Sequence, residues 1–251
     1  MLLARRPFRV RRPSIPSVSK DRLRPMSYNF LHGRADDVRA RIMRDPFPAV
    51  APHVRVMMVD DPRAMGGNSL AYSVSARCTA VMCVKMGRTE TVVIGRDHLH
   101  AWGVAKHDVW FAALRNLAAE PVTVTPNEST ADVPLYTLYG ADWAGSSHVM
   151  RLGDVLPAPT PFGAVAMLPG LNSILFAPLM SQRSLAILPM MWLVYQRFTA
   201  EDRPVTDQLL WWHNGRLSAM DAMDSAPIDG KSGIHVIESP EFQRMKSALP
   251  A

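Results

Sequence analysis

The chain has 251 residues, of which 48% are hydrophobic and 20% are charged, and its mean hydropathy is −0.01. This balance is typical of a globular chain with a core, and it excludes a fibrous or wholly disordered protein. The 21 prolines exclude a bundle of long helices, because proline breaks helix interiors, and two cysteines cannot build a disulfide framework.

The net charge of +6 is concentrated at the N-terminus. Residues 1–25 contain eight of the 28 basic residues and one of the 22 acidic residues, which leaves 20 against 21 in the remainder. We interpret residues 1–25 as a disordered basic arm, because four prolines and few apolar side chains give it little to bury. Its candidate anion-binding residues are Arg5, Arg6, Arg9, Arg11 and Arg12.

Three hypotheses stand for this arm. In the first, it binds nucleic acid or another anionic surface by releasing counterions, and the arm is the only part expected to bind nucleic acid. In the second, it is a targeting segment, although it lacks the apolar stretch of a secretory signal. In the third, translation starts at Met26 and the arm is upstream sequence.

Residues 155–182 contain no charged side chain, which invites comparison with a membrane-spanning helix. Five prolines and two glycines interrupt the stretch. A spanning helix instead needs about 20 mostly apolar residues whose backbone bonds are closed internally. We therefore expect a loop followed by buried strands, no membrane insertion and a soluble, intracellular protein.

From the end of the arm to residue 125, the pattern predicts a helix, four strands, two helices and a fifth strand. Alternating β-branched runs separated by turn residues are typical of an antiparallel meander. Asp97 is placed to cap the second helix, and Gly103 is placed to end it. Cys78 and Cys83, five residues apart on one strand, are expected to face opposite sides as buried thiols. The predicted bounds are Ala35–Met43, Lys106–Ala119 and Asp97–Trp102 for the helices, and His53–Asp60, Leu70–Ala76, Thr79–Met86, Glu90–Ile94 and Val122–Thr125 for the strands.

Beyond residue 134 the pattern predicts six strands and three helices. Pro189 is expected to kink or split the second of these helices. Asn214-Gly215 between apolar runs is the strongest short-range signal of a β-hairpin, because both central residues need positive φ. Ser239, followed by proline, opens the last helix. The predicted bounds are Leu135–Tyr139, Ala164–Leu168, Ser173–Ala177, Gln208–His213, Arg216–Met220 and Ile234–Ile237 for the strands, and Asp142–Asp154 and Ser181–Thr199 for the first two helices.

Together these elements predict an α+β fold. We expect a mixed, mainly antiparallel sheet with helices packed on it, preceded by the disordered basic arm. Residues 26–251 are expected to form a single domain, and two similar halves, residues 26–134 and 135–251, are a variant of this interpretation. The two halves have a similar pattern of predicted strands and helices, but no sequence is repeated between them.

The familiar motifs of catalysis and cofactor binding do not occur in the chain. The phosphate-binding loop, the dinucleotide fingerprint and the nucleophile elbow are all missing. The string GSSH at 145–148 places a serine near a histidine, but adjacency in sequence is not a catalytic geometry. His98 and His100, two residues apart on a helix, point roughly 200° from each other and cannot share a metal ion. We therefore expect no catalytic, cofactor-binding or metal-binding residues.

The tryptophans are the most informative side chains. Trp211 and Trp212 on one strand must point to opposite faces, so that one enters the core and the other faces solvent or a partner. Two interpretations stay open: a single hydrophobic core, or an exposed aromatic patch of the kind enriched at protein interfaces. The candidate interface residues are Trp110, Trp192, Trp211 and Trp212.

Residues 94–121, IGRDHLHAWGVAKHDVWFAALRNLAAEP, resemble the most recognisable stretch of the YtpQ-like family, a bacterial domain of unknown function. The run AVAMLPGLNSILF is similar to that family's strand–proline turn–strand, and RPVTDQLLWWHNGRL is similar to its closing hairpin. The resemblance thus covers roughly residues 90–220. The matching positions of the first stretch are Leu99, Trp102, Gly103, Val104, Ala113, Asn116 and Leu117.

Two departures separate this chain from the family pattern. Ala105-Lys106-His107 replaces the serine and acids expected at the start of the helix, so that the usual cap is lost, and the turn after Pro169 lacks the expected charged residues. The resemblance implies an α+β fold in a cytoplasmic bacterial protein that is not an enzyme. It supplies no catalytic residue, because none is established for the family.

Two classes of function compete. The first hypothesis is a non-enzymatic protein-binding or adaptor module that binds a protein partner or associates with itself. The alternative is an enzyme with a site near His98, His107 and the Gly66-Gly67-Asn68 loop. Association with nucleic acid through the arm is a third, separate hypothesis.

Overall fold

The computed structural model describes the chain in eight ranges: residues 29–30, 35–61, 67–86, 90–127, 133–156, 160–200, 203–228 and 231–251. The basic arm lies outside these ranges, as does Gly66 of the predicted loop. The hypotheses about the arm therefore stay predictions.

The first sheet is built around its longest strand. This strand, β4, pairs with β2 along one edge, and with β3 and β5 placed end to end along the other. Met82 lies where β3 and β5 meet, because its N–H donates to the Leu70 carbonyl and its own carbonyl accepts from Ile94. The strands are β1 (Asn29–Phe30), β2 (Val54–Val59), β3 (Ala71–Ser75), β4 (Cys78–Lys85) and β5 (Glu90–Val93), and β1 lies parallel to β5.

Four α-helices of the described chain accompany this sheet, and one of them begins at a cap other than the predicted one. The prediction that Asp97 caps the helix ending at Trp102 is wrong. The N-cap is Gly95, whose N–H donates to His98 Nδ1 at 3.1 Å, while the Asp97 carboxylate is bound by Arg39 at 2.6 Å. Gly103 ends the helix at φ 63°, as predicted. The helices are α1 (Ala35–Arg44), α2 (Phe47–Val50), α3 (Arg96–Trp102) and α4 (Lys106–Ala119), with a 3-10 helix at Ala51–His53.

The start of α4 has a partial cap after all. The backbone N–H of Ala105 donates to the Asp108 carboxylate at 3.0 Å. An acid three residues into the helix thus bonds back to the N-cap backbone, which is half of a capping box. The expectation of a lost cap holds only for the N-cap side chain, because alanine has no acceptor.

The second sheet is antiparallel and has seven strands in the order β12-β11-β10-β8-β9-β7-β6. The hairpin at Asn214-Gly215 is confirmed, with φ values of 49° and 73°. β6 and β7 pair across residue 134, the boundary between the two suggested halves. The strands are β6 (Val122–Asn127), β7 (Leu135–Gly140), β8 (Ala164–Gly170), β9 (Ser173–Pro178), β10 (Thr206–His213), β11 (Arg216–Ile228) and β12 (Lys231–Ile237).

The prediction of a helix over 142–154 is wrong. This segment forms a 3-10 helix at Gly145–Arg151 followed by the single turn α5 (Leu152–Val155). Its first N–H groups are taken from outside: Gly145 donates to the Asn172 side chain and Ser146 to the Leu171 carbonyl. These contacts tie the start of the segment to the β8–β9 turn, which supplies acceptors for N–H groups that have no partner within the helix.

The remaining helices follow the prediction. The segment at 181–199 splits into a 3-10 helix at Gln182–Ile187 and α6 (Leu188–Thr199), with Pro189 in the first turn of α6. The Ser239 hydroxyl accepts from the Phe242 N–H at 3.2 Å and caps α7 (Pro240–Ala248). Within the described ranges, no helix has the length and apolar content that crossing a membrane requires.

Three apolar clusters hold these elements together. The largest joins the two sheets, combining Val56 and Met58 of β2 with Phe176 and Leu210 of the second sheet. A second cluster fills the opposite face of the second sheet, beneath α6 and α7. The third lies on the other face of β2 and β4, around Trp143. The prediction of an α+β fold with mainly antiparallel pairing is confirmed, and the strands divide into two sheets.

The two cysteines and the paired tryptophans lie as the strand alternation predicts. Cys78 belongs to the cluster that joins the sheets, and Cys83 to the cluster around Trp143, so that they face opposite sides of β4 as free, buried thiols. Burial raises the pKa of each thiol to about 12. Trp211 points beneath α7, whereas Trp212 points between the sheets.

Candidate functional site

Two of the four candidate interface tryptophans lie in the core. Trp192 and Trp211 are 7% and 6% exposed. Each indole N–H has a partner, since Trp192 donates to the Asp224 carboxylate at 2.7 Å and Trp211 to the Phe162 carbonyl at 3.0 Å. Their burial and these hydrogen bonds explain Trp192 and Trp211 as parts of the packed core.

The other two tryptophans are half-buried. Trp110 lies against Tyr72, with ring centroids 4.2 Å apart, and the exposed aromatic beside it is Phe111. The Trp212 ring covers Gly153 so closely that a Cβ there would overlap it. Core contacts therefore explain much of this set, and its role as an interface stays a prediction.

The residues proposed around His98 are brought together only in part. The Asn68 amide donates to the Asp97 carboxylate at 3.2 Å, and the Asn68 carbonyl accepts from the Arg96 N–H at 3.1 Å. His107 is elsewhere, 67% exposed at the start of α4, where its closest charged neighbour is Asp108. The loop thus reaches α3, but His107 is not part of this group.

The His98 ring is a capping group. It is fully buried, and its Nδ1 accepts the Gly95 N–H, so that the neutral ring carries its proton on Nε2. Burial lowers the pKa of His98, which favours this neutral form. A shallow depression between α3 and α4 does not include His98 among its lining residues, which are Arg96, Leu99, His100, Gly103, Val104 and Ala105. Among the described residues, no three histidine, cysteine or acidic side chains gather as metal ligands would.

The GSSH string forms the buried start of the 3-10 helix at Gly145–Arg151. Ser146, Ser147 and His148 are all fully buried, and both hydroxyls and His148 Nε2 have no hydrogen-bond partner within the described ranges. Successive residues of a 3-10 helix point about 120° apart, so these three groups do not converge. The geometry therefore does not build a serine–histidine pair from them.

His148 is held neutral. Its Nδ1 lies 3.2 Å from an Arg151 guanidinium nitrogen, which can only donate, so that Nε2 carries the proton. Burial lowers the pKa of His148 to about 4; the positive charge of Arg151 acts in the same direction, and Glu120 opposes it. Sequence reasoning treated GSSH as chance and missed this buried imidazole, because its burial depends on both sheets.

Glu120, at the end of α4, ties that helix to the first sheet. Its carboxylate is 7% exposed and accepts from Arg55 Nε at 2.7 Å and Lys85 Nζ at 3.2 Å. Burial by itself would raise the pKa of Glu120, but the two cations hold it below its ordinary value. The Glu120 carboxylate, Arg55 and Lys85 therefore form one ion-pair cluster that joins α4 to β2 and β4.

Asn172 in the β8–β9 turn joins three segments. Its amide donates to the Gly140 carbonyl at 3.1 Å, and its side-chain oxygen accepts from the Gly145 N–H at 3.0 Å. A Cβ on either glycine would overlap a backbone atom, so this contact needs glycine on both sides. The β8–β9 turn thus has a structural role, although it lacks the charged residues that the resemblance led us to expect.

Two exposed apolar side chains lie on β11 and β12. Met223 is 45% exposed and Ile237 is 53% exposed. Met223 opposes His235, and Asp221 opposes Ile237, which makes Met223 and Ile237 diagonal neighbours on one face of the sheet. We call Met223, His235 and Ile237, together with the outer edge of β12, the β12 face.

The opposite side of the same two strands is covered. Ala222, Ile234 and Val236 pack into the cluster beneath α6. From the β3–β4 turn of the first sheet, Arg77 reaches β11 at Asp221, two residues before Met223. Sequence reasoning ended β11 at Met220 and therefore left Met223 outside a strand.

No family model, curated protein or solved structure matches the chain.

Proposed function

We propose that this chain is a protein-binding module of a cytoplasmic bacterial protein, and that the β12 face is its binding surface. The observation that carries the proposal is the exposed pair Met223 and Ile237 beside the outer edge of β12, which pairs with no other described strand. An edge strand offers unpaired backbone N–H and C=O groups, and neighbouring apolar side chains add area to bury.

The two edges of the second sheet differ in a way that supports this choice. At the far edge, β6 carries Pro126, which has no N–H to donate, and exposes Thr123 and Thr125. Proline is one of the means by which natural edges avoid pairing, and lysine is another. β12 has no proline; its one lysine, Lys231, stands at the first position of the strand, and Gly233–Ile237 contains no lysine or arginine.

The buried histidines support binding over catalysis. His98 Nδ1 accepts from Gly95, and His148 Nδ1 lies against Arg151, so that both imidazoles serve structural hydrogen bonds. A general base needs a basic nitrogen within reach of substrate, and in both rings that nitrogen is already engaged.

Membership in the YtpQ-like family is part of the proposal. It is supported by the elements that the resembling segments form: two helices joined at Gly103, the β8–β9 hairpin and the β10–β11 hairpin. The cytoplasmic setting comes from the same resemblance.

The proposal is tested by capture with matched variants. The full chain, the double variant Met223→Lys with Ile237→Lys, and Met180→Lys are immobilised and exposed to extract from the natural source. Met180 is a suitable control, because it is a methionine that is 46% exposed. We expect the full chain and Met180→Lys to retain the same proteins, copies of the chain included, and the double variant to lose them.

Two results would count against the proposal. One is retention of the same proteins, in the same amounts, by the double variant. The other is a wild-type chain that retains no protein above an unrelated control. Equal urea midpoints for the three chains exclude unfolding as the cause of a loss.

A further inference from the structure

We infer that the buried segment 146–148, in the joint between the two sheets, binds internal water molecules, and that the His148 ring donates a hydrogen bond to one of them. All three residues of the segment are 0% exposed. In sequence the segment lies between Ala144, which belongs to the third apolar cluster, and Val149, which belongs to the largest one. Its polar side chains are therefore placed between two apolar regions.

These polar side chains have no hydrogen-bond partner among the described residues. Ser146 Oγ, Ser147 Oγ and His148 Nε2 are three of the six buried side-chain atoms without a partner in the described part of the chain. The serine backbone is satisfied, since the N–H of Ser146 donates to the Leu171 carbonyl and that of Ser147 to the Ala144 carbonyl. The groups without a partner are thus side chains, and they are concentrated in one short segment.

Other buried hydroxyls of the chain show how such groups are normally satisfied. Ser184 is 4% exposed, and its hydroxyl accepts from the N–H groups of Met180 at 3.0 Å and Ser181 at 3.2 Å. In folded proteins the large majority of buried polar atoms have a partner, and an internal water supplies it where no protein group does. We therefore expect a bound molecule at the polar atoms of the segment 146–148.

The His148 ring limits what this molecule can be. Its Nδ1 accepts from Arg151, so that Nε2 carries the proton, can only donate and cannot bind a metal ion. A buried anion would need a charged partner, but the ring is neutral and Arg151 already pairs with Asp154 at 3.2 Å. A small neutral molecule with an acceptor oxygen fits, and water can also both donate to and accept from the serine hydroxyls.

The geometry of the segment sets the number of molecules. Successive residues of a 3-10 helix point about 120° apart, so that a water on His148 Nε2 does not also reach both serine hydroxyls. We expect at least two molecules, one at the ring and one at a serine. Folded proteins hold about one internal water per 27 residues, so two in a chain of 251 residues is an ordinary number.

A high-resolution crystal structure of the full chain locates these molecules. We expect an ordered water within about 3.2 Å of His148 Nε2, and a second within the same distance of the Ser146 or Ser147 hydroxyl. Relaxation dispersion of the oxygen-17 signal of water counts long-lived internal molecules in solution, and it is insensitive to exchange of hydroxyl protons. The double variant Ser146→Ala with Ser147→Ala should lose at least one of them, and Ser184→Ala should keep the wild-type number.

The stability of the double variant gives an independent test, because the two alternatives predict opposite signs. Removing hydroxyls that are bound to water should lower the folding equilibrium constant, by about fivefold for each hydroxyl. Removing hydroxyls that have no partner takes unsatisfied polar groups out of the core, and this should raise the urea midpoint instead.

Three results would overturn the inference: a crystal structure without an ordered water at His148 Nε2, a double variant with the wild-type number of long-lived waters, or a double variant with a raised urea midpoint. If the double variant does not fold, the crystal structure and the oxygen-17 count of the wild-type chain decide. None of these measurements involves the β12 face, so the proposed function stands or fails separately.

Discussion

Acidification should destabilise the folded chain through His148. An unfolded histidine binds its proton near pH 6.5, whereas the buried ring binds it only near pH 4, where its pKa is held by burial. Between these values the unfolded chain holds more protons, so the free energy of unfolding falls as the pH falls. The loss is absent above about pH 6.5 and complete below about pH 4.

The size of the effect follows from the two pKa values. The pKa of about 4 against an ordinary value of about 6.5 gives a total of about 3 kcal/mol, of which about 2 kcal/mol is lost by pH 5. Glu120 acts in a lower range. Its pKa lies below the ordinary value, so the stability that it contributes is lost only as the pH falls below about 4.5.

Urea unfolding at pH 7 and pH 5 measures this loss, with His148→Asn as the test variant. Asparagine keeps an acceptor for Arg151 but does not titrate, so the variant should start less stable and lose about 2 kcal/mol less than wild type between the two pH values. His107→Asn removes an imidazole that is 67% exposed and should retain the wild-type dependence. Parallel losses in wild type and His148→Asn would refute the reasoning.

The remaining predictions concern the joint between the sheets and the surface ion pairs. Asn172→Ala removes an acceptor for Gly145 and a donor to Gly140, and should lower the free energy of unfolding by about 2 kcal/mol; an unchanged urea midpoint would contradict this. Gly145→Ala forces a Cβ onto the Asn172 carbonyl and should cost about 3 kcal/mol or more, whereas a neutral effect would mean that the segment shifts easily. Arg77→Ala removes half-exposed ion pairs and should cost less than about 1 kcal/mol, with a smaller loss at high salt; a salt-independent loss would contradict an ionic origin.

Much of the fold could be predicted because its signals are local. The bounds Lys106–Ala119 agree with α4, since apolar spacing and a following proline define a helix without reference to the rest of the chain. The Asn214-Gly215 hairpin depends on two residues whose backbone can take positive φ. The apolar spacing and the turn residues act through neighbours in sequence, so both signals are independent of the tertiary structure.

The wrong predictions concern segments whose secondary structure depends on contacts with residues far away in sequence. The segment at 145–151 is tied at its start to a turn 27 residues away in sequence, and helix patterning does not record such a contact. β11 continues to Ile228 through residues with little strand preference, because β12 pairs with them. The same pairing places Met223 beside Ile237.

In the candidate site, too, local sequence predicted some features and distant contacts determined the others. Alternation predicted that Trp211 and Trp212 face opposite sides, but it could not say which faces are covered. His148 was passed over for this reason, because its burial comes from elements on both sides. The exposure of Met223 and Ile237 likewise depends on which elements cover β11 and β12, and strand alternation does not record this.

Amide hydrogen exchange of β12 tests the central claim most directly. The exchange of Gly233–Ile237 is compared for the purified chain alone and for the chain bound to the proteins that it captures, with β6 as the internal reference. The account predicts that β12 amides become protected in the bound chain while β6 amides do not change. Exchange of β12 that is the same in the free and the bound chain would contradict it.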